Sequence, residues 1–294
     1  MTTTGIVLCG GRSSRMGRDK PWLPWRGQPV LAHVVDRLAQ AVDQVVVVCA
    51  PGQSLPPTSA RQVEDAEEGL GPLAGLCAGL AASEPGLTFV TAADAPFLTP
   101  AFVRSVLAPG GAAAPEAEGR VHPLSAAYPS RGASEARALL DAGRRRPLDL
   151  LERLGFERLA LSDLPDPASV SGFNTPDEYL AAARVDVPGA TAQVEFVDQG
   201  TSRPPCPVPI GTLAEILRAA GAGPEFFAGE KLAPHYAARL NEGGPVRDAH
   251  VPIGAGEKVT VLKATSPTTL DSANGDGQAR GAVPPAPENG QRHD

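Results

Sequence analysis

The sequence predicts an α/β fold with a mostly parallel sheet, followed by a smaller α+β domain. Two observations support the first part: short apolar segments alternate with segments of helical apolar spacing, and several apolar segments end at glycines or at an aspartate. Strands of a parallel sheet are covered by helices on both faces and therefore show continuous apolar runs. With 294 residues, of which 42% are hydrophobic, the chain is long enough for about two domains.

The individual elements follow in chain order. Apolar strands are predicted in GIVLCG, QVVVVCAP and LTFVTAAD. Apolar spacing predicts the intervening helices PVLAHVVDRLAQAV, GPLAGLCAGLAAS and TPAFVRSVLA. Further on, RVHPLSAAYP is predicted to be a strand, and GASEARALLDAG, PLDLLERLG and TPDEYLAAARV are predicted to be helices. The last of these begins with the capping-box pair Thr175 and Glu178, with Pro176 at the first helical position.

Composition and pattern place the domain boundaries. The first domain is predicted to span residues 1–188 and to end near DVPGAT. Residues 189–264 contain an alternating strand, a strand end with a helix, and a strand, glycine turn and strand, which indicates a small α+β domain. Residues 265–294 are rich in Ser, Thr, Pro, Gly, Asn and Asp, so we expect a disordered tail.

Charge and hydropathy exclude some classes of protein. The formal net charge of −7 argues against a nucleic-acid binder or a protein of anionic membranes, since both usually carry a basic excess. The sequence has no apolar run near the roughly 18 residues that a spanning helix needs. It begins without a basic segment or a signal-peptide core. We therefore expect a cytoplasmic protein with neither nucleic acid nor membrane as a partner.

The segment LCGGRSSRMGRDK, residues 8–20, is the most informative part of the chain. Gly10 and Gly11 directly follow an apolar strand, at the sheet edge where α/β proteins bind ligands, and glycines let backbone amides approach an anion. The segment matches neither the Walker A loop nor the dinucleotide-binding pattern. Lys20 is the only lysine before Lys231. A solvated loop whose arginines reflect the composition of the chain is the alternative interpretation.

Residues 10–20 resemble the G-G-x-S-x-R-M-G-x-D-K signature of the molybdenum cofactor guanylyltransferases, and all eight fixed positions are met. The resemblance implies a Rossmann-like glycosyltransferase-A fold of the nucleotidyltransferase type for residues 1–188. Related cytidylyltransferases usually carry Ala-Gly where this chain has Gly10 and Gly11. The motif therefore favours GTP, with a CTP-dependent molybdopterin cytidylyltransferase as the alternative.

Further segments extend the resemblance. VEDAEEGLGPLAGL is similar to an acidic pair before G-P-L-A-G and assigns Asp65 to the nucleotide. TAADAPFLTP is similar to a segment whose aspartate, here Asp94, binds Mg²⁺. A turn or capping residue before Pro96 is the alternative for Asp94, and a solvated acidic loop is the alternative for Asp65.

The resemblance implies nucleotidyl transfer, in which positioning and electrostatic stabilisation supply most of the catalysis. Arg15, Lys20 and Asp94 would be the catalytic residues, with Mg²⁺ on Asp94 as the only metal ligand assigned. The complete nucleotide-binding set would be Leu8, Cys9, Gly10, Gly11, Lys20, Asp65 and Asp94, with backbone amides of residues 9–11 at the base and sugar.

Three residues are assigned to the second substrate. His122 lies in a VHPLSAAY segment and Asn174 in GFNTPDEYL, and both segments match the family pattern. A histidine before a proline is more often structural than a base, so His122 receives only a substrate contact. Arg145 is the middle residue of three arginines between two helices. It would contact the pterin phosphate or interact favourably with a helix terminus, and the sequence leaves both interpretations open.

ARLNEGGPVRDAHVPIGAGEKVTVLKA is similar to the second half of ubiquitin-like sulfur carriers, including the small subunit of molybdopterin synthase. This similarity implies a β-grasp fold for residues 189–264. Sulfur carriers end in Gly-Gly, whereas this chain continues to NGQRHD. We therefore expect a docking or vestigial module.

The sequence thus predicts an Mg²⁺-dependent enzyme that transfers GMP from GTP to a molybdopterin-type cofactor. Proteins of molybdenum cofactor biosynthesis or apo-molybdoenzymes are the expected partners. A non-catalytic nucleotide-binding and β-grasp protein of the same pathway is the alternative from a different class.

Overall fold

The computed structural model describes residues 1–10, 16–65, 69–198, 201–202 and 204–263. The described residues of the chain form two compact units. The first comprises Met1–Arg12 and Val30–Gly172, and the second comprises Ser13–Pro29 and Phe173–Asp294. The division into domains at residues 188 and 264 stays a prediction, and the predicted tail lies outside the described residues.

The first unit is built around an eight-stranded mixed sheet. Its longer strands are β1 Thr2–Leu8, β2 Gln44–Cys49, β3 Arg61–Glu64, β4 Gly86–Ala92, β5 Ala113–Ala117, β6 Ala126–Pro129 and β7 Glu157–Ala160. The order across the sheet is β7-β5-β6-β4-β1-β2-β3, and the short strand Arg120–Val121 pairs with β5. Strands β4, β1, β2 and β3 are parallel neighbours, whereas β6 is antiparallel to both β4 and β5. The predicted α/β class with a largely parallel sheet is confirmed.

Five helices cover this sheet: α1 Val30–Ala39, α2 Pro72–Ala82, α3 Pro100–Leu107, α4 Gly132–Asp141 and α5 Pro147–Leu154. All five were predicted. The hydroxyl of Thr99 accepts a hydrogen bond from the Phe102 amide at 3.2 Å, and Pro100 opens α3, as its Thr-Pro start indicates. A core cluster of Ile6, Val48, Leu76 and their neighbours lies between α2 and the sheet.

Among the longer strands described in the first unit, three escaped prediction, and one predicted strand is interrupted. Strands β3 and β7 form the two edges of the sheet and are mostly exposed, so they lack the apolar runs of the central strands. Strand β5, AAPEA, is buried but consists mainly of small residues. RVHPLSAAYP is not one strand, because residues 122–125 form a turn between Arg120–Val121 and β6.

The second unit contains a six-stranded sheet. Its longer strands are β8 Thr191–Asp198, β9 Cys206–Pro209, β10 Tyr236–Leu240 and β11 Lys258–Lys263. Strands β8 and β11 are parallel and lie side by side, with β9 antiparallel to β8 and β10 antiparallel to β11. The short strand Pro245–Val246 continues the sheet beyond β10, and Thr201–Ser202 also pairs with β8.

Two helices belong to this unit, α6 Pro176–Asp186 and α7 Leu213–Ala219. Thr212 and Glu215 form a reciprocal capping box on α7. The predicted box on α6 is present only in part: Thr175 accepts from the Glu178 amide, but the Glu178 carboxylate accepts from the Asn174 amide. Among the described residues, no helix is long and apolar enough to cross a bilayer.

The predicted strand, turn and strand of VPIGAGEKVTVLKA does not form a hairpin. Pro252–Ile253 pairs with Gly211–Thr212, whereas β11 pairs with β8 and β10. The turn between them is held by Glu257, whose carboxylate accepts a hydrogen bond from the Gly254 amide at 2.8 Å. Sequence alternation identified the extended segments but not their partners.

Gly79 tests the packing of α2 on the sheet. A Cβ at this position would lie 2.8 Å from Ile6 Cδ1 and 3.0 Å from Val48 Cγ2. We expect Gly79→Ala to destabilise the protein by about 1–2 kcal/mol, because overpacking outweighs the gain in helix propensity. Urea unfolding measures the change. Gly111→Ala is the control, since a Cβ there meets nothing within 4 Å; equal stability of the two variants would contradict this packing.

Candidate functional site

The carboxyl edge of the first unit's sheet brings several predicted site residues together. Leu8, the last residue of β1, pairs with Val48 on one side and with Ala92 on the other. Because the strands are parallel, Gly10 and Asp94 leave the sheet at the same edge. Asp65 follows β3 at this edge, and its amide donates to the Cys49 carbonyl at 2.8 Å. Asp94 therefore lies beside the strand that leads to Gly10.

The backbone at Leu8 and Cys9 is already engaged within the sheet. The Cys9 amide donates to the Val48 carbonyl at 2.8 Å, and the Leu8 carbonyl accepts from the Ala93 amide at 3.0 Å. The Cys9 amide is thus not available to a nucleotide in this conformation, unlike the expectation from the sequence. Burial, followed by the nearby Cys49 thiol and Asp94 carboxylate, raises the pKa of the Cys9 thiol. This thiol stays protonated and is unsuited to act as a nucleophile.

Gly10 is exposed, and a Cβ added to it would meet nothing within 4 Å. Packing within the described part of the protein therefore does not require glycine here. Gly11 and Arg15, the next two predicted site residues, lie outside the described residues.

Asp94 is half-buried and is backed by a residue that sequence reasoning missed. A Cβ on Gly172 would lie 2.6 Å from the Asp94 carbonyl oxygen and 3.1 Å from its Oδ1 atom. Only glycine fits against this backbone without displacing it. Its place as the first residue of the GFNTPDEYL segment was the signal in the sequence.

Asp65 is also half-buried, and a Cβ added to Gly75 of α2 would lie 3.7 Å from its Oδ2 atom. Within the described ranges, no group of three or more His, Cys, Asp and Glu side chains could hold a metal ion by itself. Mg²⁺ usually needs only one or two carboxylates when phosphates and water complete its shell. A carboxylate such as Asp94 at the ligand-binding edge of the sheet fits that donor set.

In the second unit, two predicted site residues are in direct contact. Lys20 Nζ donates to Asn174 Oδ1 at 2.9 Å, across 154 positions of sequence. The backbone of Lys20 begins a single 3₁₀ turn, Lys20–Trp22, in which the Leu23 amide donates to the Lys20 carbonyl at 3.0 Å. The lysine is thus held both through its side chain and through its backbone.

Arg18, a cation of the segment of residues 8–20, faces neither an anionic ligand nor solvent in this structure. Its side chain is instead buried and forms an ion pair with Glu257, with Nη1 2.9 Å from Oε2 and Nη2 2.9 Å from Oε1. Its charge is therefore neutralised within the second unit.

His122 and Arg145 have structural contacts. The His122 amide donates to the Pro115 carbonyl at 2.9 Å, and burial, followed by Arg120, lowers the pKa of its imidazole. The neutral ring therefore predominates at pH 7. Arg145 Nη1 donates to the Leu140 carbonyl of α4 at 3.1 Å, the helix-terminus contact that was one of its two interpretations.

Comparison with known proteins identifies the family. Residues 5–157 match the model of the MobA-like NTP transferase domain. The chain belongs to this family. A relative named probable molybdenum cofactor guanylyltransferase from Mycobacterium ulcerans is 36% identical over 193 residues, which cover 63% of this chain and 94% of the relative. A relative of the same name from Mycobacterium tuberculosis is 37% identical over 185 residues, 58% of this chain and 92% of the relative.

A solved structure supports the same relationship. The NTP transferase resembles molybdopterin-guanine dinucleotide biosynthesis protein A from Archaeoglobus fulgidus, with a TM-score of 0.54 and 26% identity. This match covers 62% of the present chain and 97% of the other. The nucleotidyltransferase assignment for the first part of the chain is thus confirmed.

Substitution of Gly172 tests whether its close contact with Asp94 positions that carboxylate. We expect Gly172→Ala to lower NTP turnover by about tenfold or more if Asp94 is the Mg²⁺ ligand, because even small displacements of a catalytic group are costly. Pyrophosphate release at saturating Mg²⁺ and NTP measures the effect, and circular dichroism checks the fold. Gly111→Ala again serves as the control. If the Gly172 variant turned over NTP at the wild-type rate, this contact would not position Asp94.

Proposed function

We propose that the protein is a molybdenum cofactor guanylyltransferase. It would transfer GMP from GTP to a molybdopterin-type cofactor and release pyrophosphate. The observation that carries the proposal is the family match over residues 5–157, which includes the complete signature of residues 10–20. The names of the relatives and the exposed Gly10 at the carboxyl edge of the sheet support it.

The proposed reaction is an attack of the terminal phosphate oxygen of molybdopterin on the α-phosphorus of GTP. A new bond forms between this oxygen and the α-phosphorus, and the bond between the α-phosphorus and the oxygen that bridges to the β-phosphate breaks. The electron pair of that bond leaves with pyrophosphate. Stabilisation of the developing charge then matters more than covalent chemistry. This agrees with the protonated, buried Cys9 thiol beside the glycine pair.

We assign roles to the residues as follows. Lys20 would neutralise the β- and γ-phosphates and the departing pyrophosphate, with help from Arg15. Asn174 accepts a hydrogen bond from the Lys20 ammonium at 2.9 Å. When GTP binds, the ammonium would exchange this partner for the phosphates. Asp94 would be the protein ligand of Mg²⁺, which would supply additional positive charge at the phosphates. Asp65 and the backbone from Gly10 onward would meet the nucleoside.

Asn174, His122 and Arg145 are the residues that we assign to molybdopterin. Asn174 is exposed and directly bonded to Lys20, which supports a position near transferred phosphate. His122 and Arg145 remain candidates for contacts to molybdopterin. Their backbone and helix-terminus contacts use only part of their hydrogen-bonding capacity.

We also propose that residues 189–264 have a β-grasp fold. Its support is the strand order: the first and last long strands, β8 and β11, are central and parallel, with β9 outside one and β10 outside the other. Helix α7 lies between β9 and β10 in the sequence. Such a module would suit docking to proteins of the molybdenum cofactor pathway or to apo-molybdoenzymes.

Base preference is the direct test of the proposed activity. Purified protein with Mg²⁺ and molybdenum-loaded molybdopterin should release pyrophosphate from GTP much faster than from CTP. The dinucleotide product should be identified by mass spectrometry. Equal or inverted rates would reject the guanine assignment, and no turnover with either nucleotide would favour the non-catalytic alternative.

The proposed electrostatic roles predict the effects of two substitutions. We expect Lys20→Ala and Asp94→Ala each to lower turnover by about two to three orders of magnitude, as removal of one preorganised charge typically does. Pyrophosphate release measures turnover, and thermal unfolding checks the fold. Lys231→Ala and Asp163→Ala remove exposed groups of the same types and should retain activity. Near-wild-type rates for Lys20→Ala or Asp94→Ala would remove that residue from the mechanism.

Gly10 separates a ligand requirement from a packing requirement. We expect Gly10→Ala to unfold at the wild-type temperature, because its Cβ meets nothing within 4 Å. Its KM for GTP should nevertheless rise by about tenfold or more, since close approach of the backbone to the nucleotide would be blocked. Steady-state kinetics and thermal unfolding of the same preparation measure both quantities. An unchanged KM would show that the nucleotide does not approach Gly10.

A further inference from the structure

The residues on both sides of Lys20 pack against one segment of residues 189–264, which we call the C-terminal module. This segment, residues 251–257, contains the short strand Pro252–Ile253 and the turn that leads to β11. Gly17 has a φ of +71°, and a Cβ there would be 3.1 Å from Val251 Cγ2. On the other side of Lys20, the ring of Pro24 lies so close to Gly254 that an added Cβ would be 2.5 Å from Pro24 Cγ.

Between these two contacts, Arg18 enters the same turn. Its side chain is 0% exposed and that of Glu257 is 4% exposed. The guanidinium forms two parallel hydrogen bonds of 2.9 Å to the carboxylate, and Nη1 also donates to the Pro252 carbonyl at 3.1 Å. A paired fork of this kind fixes orientation as well as position.

The charged form of the Arg18 guanidinium is stabilised in this pair. Burial alone would disfavour the charged guanidinium, but the charge of Glu257 and its hydrogen bonds outweigh it, and the pKa of Arg18 is raised. Glu257 also accepts from the Gly254 amide at 2.8 Å. The Glu257 carboxylate thus holds the backbone of the turn at Gly254 and also binds Arg18.

Little backbone freedom separates Arg18 from Lys20. Asp19 is extended, and its carbonyl accepts from the Trp22 amide at 3.1 Å, which closes the turn that begins at Lys20. Pro21 is buried and has a restricted φ. A displacement of Arg18 would therefore be transmitted to Lys20.

We propose that Glu257 is a positioning residue for nucleotidyl transfer, which holds Lys20 in place for the phosphates of the nucleotide through its paired hydrogen bonds to Arg18. The C-terminal module is then part of the apparatus that binds the nucleotide and is not only a docking element. This inference rests on the proposed role of Lys20 in binding phosphate.

The test uses Glu257→Gln in the full-length protein, with Glu195→Gln as the matched control. Glu195, on β8, forms an ion pair of 2.6 Å with Lys258 on the neighbouring strand β11. The control substitution therefore also removes an ion pair. The chain has two tryptophans, Trp22 and Trp25, so intrinsic fluorescence reports directly on the segment around Lys20. GTP and pyrophosphate titrations followed by fluorescence give affinities that do not depend on turnover.

We expect Glu257→Gln to weaken binding of GTP and of pyrophosphate by about ten- to a hundredfold and to lower turnover, as displacement of a binding group does. Glu195→Gln should stay within about twofold of the wild type. Wild-type affinities and turnover in folded Glu257→Gln would overturn the inference.

A second variant covers the case in which Glu257→Gln does not fold. The double variant Arg18→Met with Glu257→Met replaces the buried pair by apolar side chains, which often preserves stability. If the pair positions Lys20, this variant should unfold near the wild-type temperature yet bind GTP about tenfold more weakly. Wild-type GTP affinity in this stable variant would show a purely structural pair and overturn the inference.

The controls separate this inference from the proposed function. If the wild type transfers GMP but Lys20→Ala retains full activity, the role of Lys20 fails and the positioning role fails with it. If the wild type does not transfer GMP, the proposed function fails. Loss of nucleotide affinity in Glu257→Gln would then still support positioning.

Discussion

The parallel pairing of β1 on both of its sides is the constraint on which the first unit depends. Leu8 is in register with Val48 and with Ala92, and β3 is parallel to β2, so the chain leaves all four strands at one edge of the sheet. The carboxyl end of such a sheet is where α/β proteins collect ligand-binding loops. Gly10, Asp65 and Asp94 therefore gather at this edge as a consequence of strand direction, before any side chain is considered.

A different interaction organises the second unit. Burial of an arginine and a glutamate is expensive, and removal of one partner from such a pair typically costs about 3–5 kcal/mol because the other charge is left unpaired. An apolar pair of similar volume would often be as stable. The presence of Arg18 and Glu257 is thus better explained by the orientation that a paired fork imposes than by stability. Orientation matters here because Lys20 is only two residues from Arg18.

The central part of the fold could be predicted because it carries apolar signal. The runs of β1, β2 and β4 and the helices between them were found from sequence, whereas the edge strands β3 and β7 were not, because half-solvated strands need few apolar residues. Asp94 directly follows one of these apolar runs, so its position at the carboxyl edge follows from the parallel sheet. Sequence could not find the contact of Lys20 with Asn174, since it joins positions 154 residues apart. It also could not show that Arg18 faces a carboxylate, because arginine is used both for buried ion pairs and for binding phosphate.

The glycines of the signature show why a motif and its physical cause must be separated. Gly17 is required by its own conformation, with a φ of +71°, and by the close approach of Val251. Gly10 has no such requirement within the described part of the chain, because the space around its Cα is open. The two glycines of one signature therefore differ in cause: the protein itself requires Gly17, whereas the proposed nucleotide would account for Gly10. The packing partner of Gly17 is the C-terminal module, through Val251.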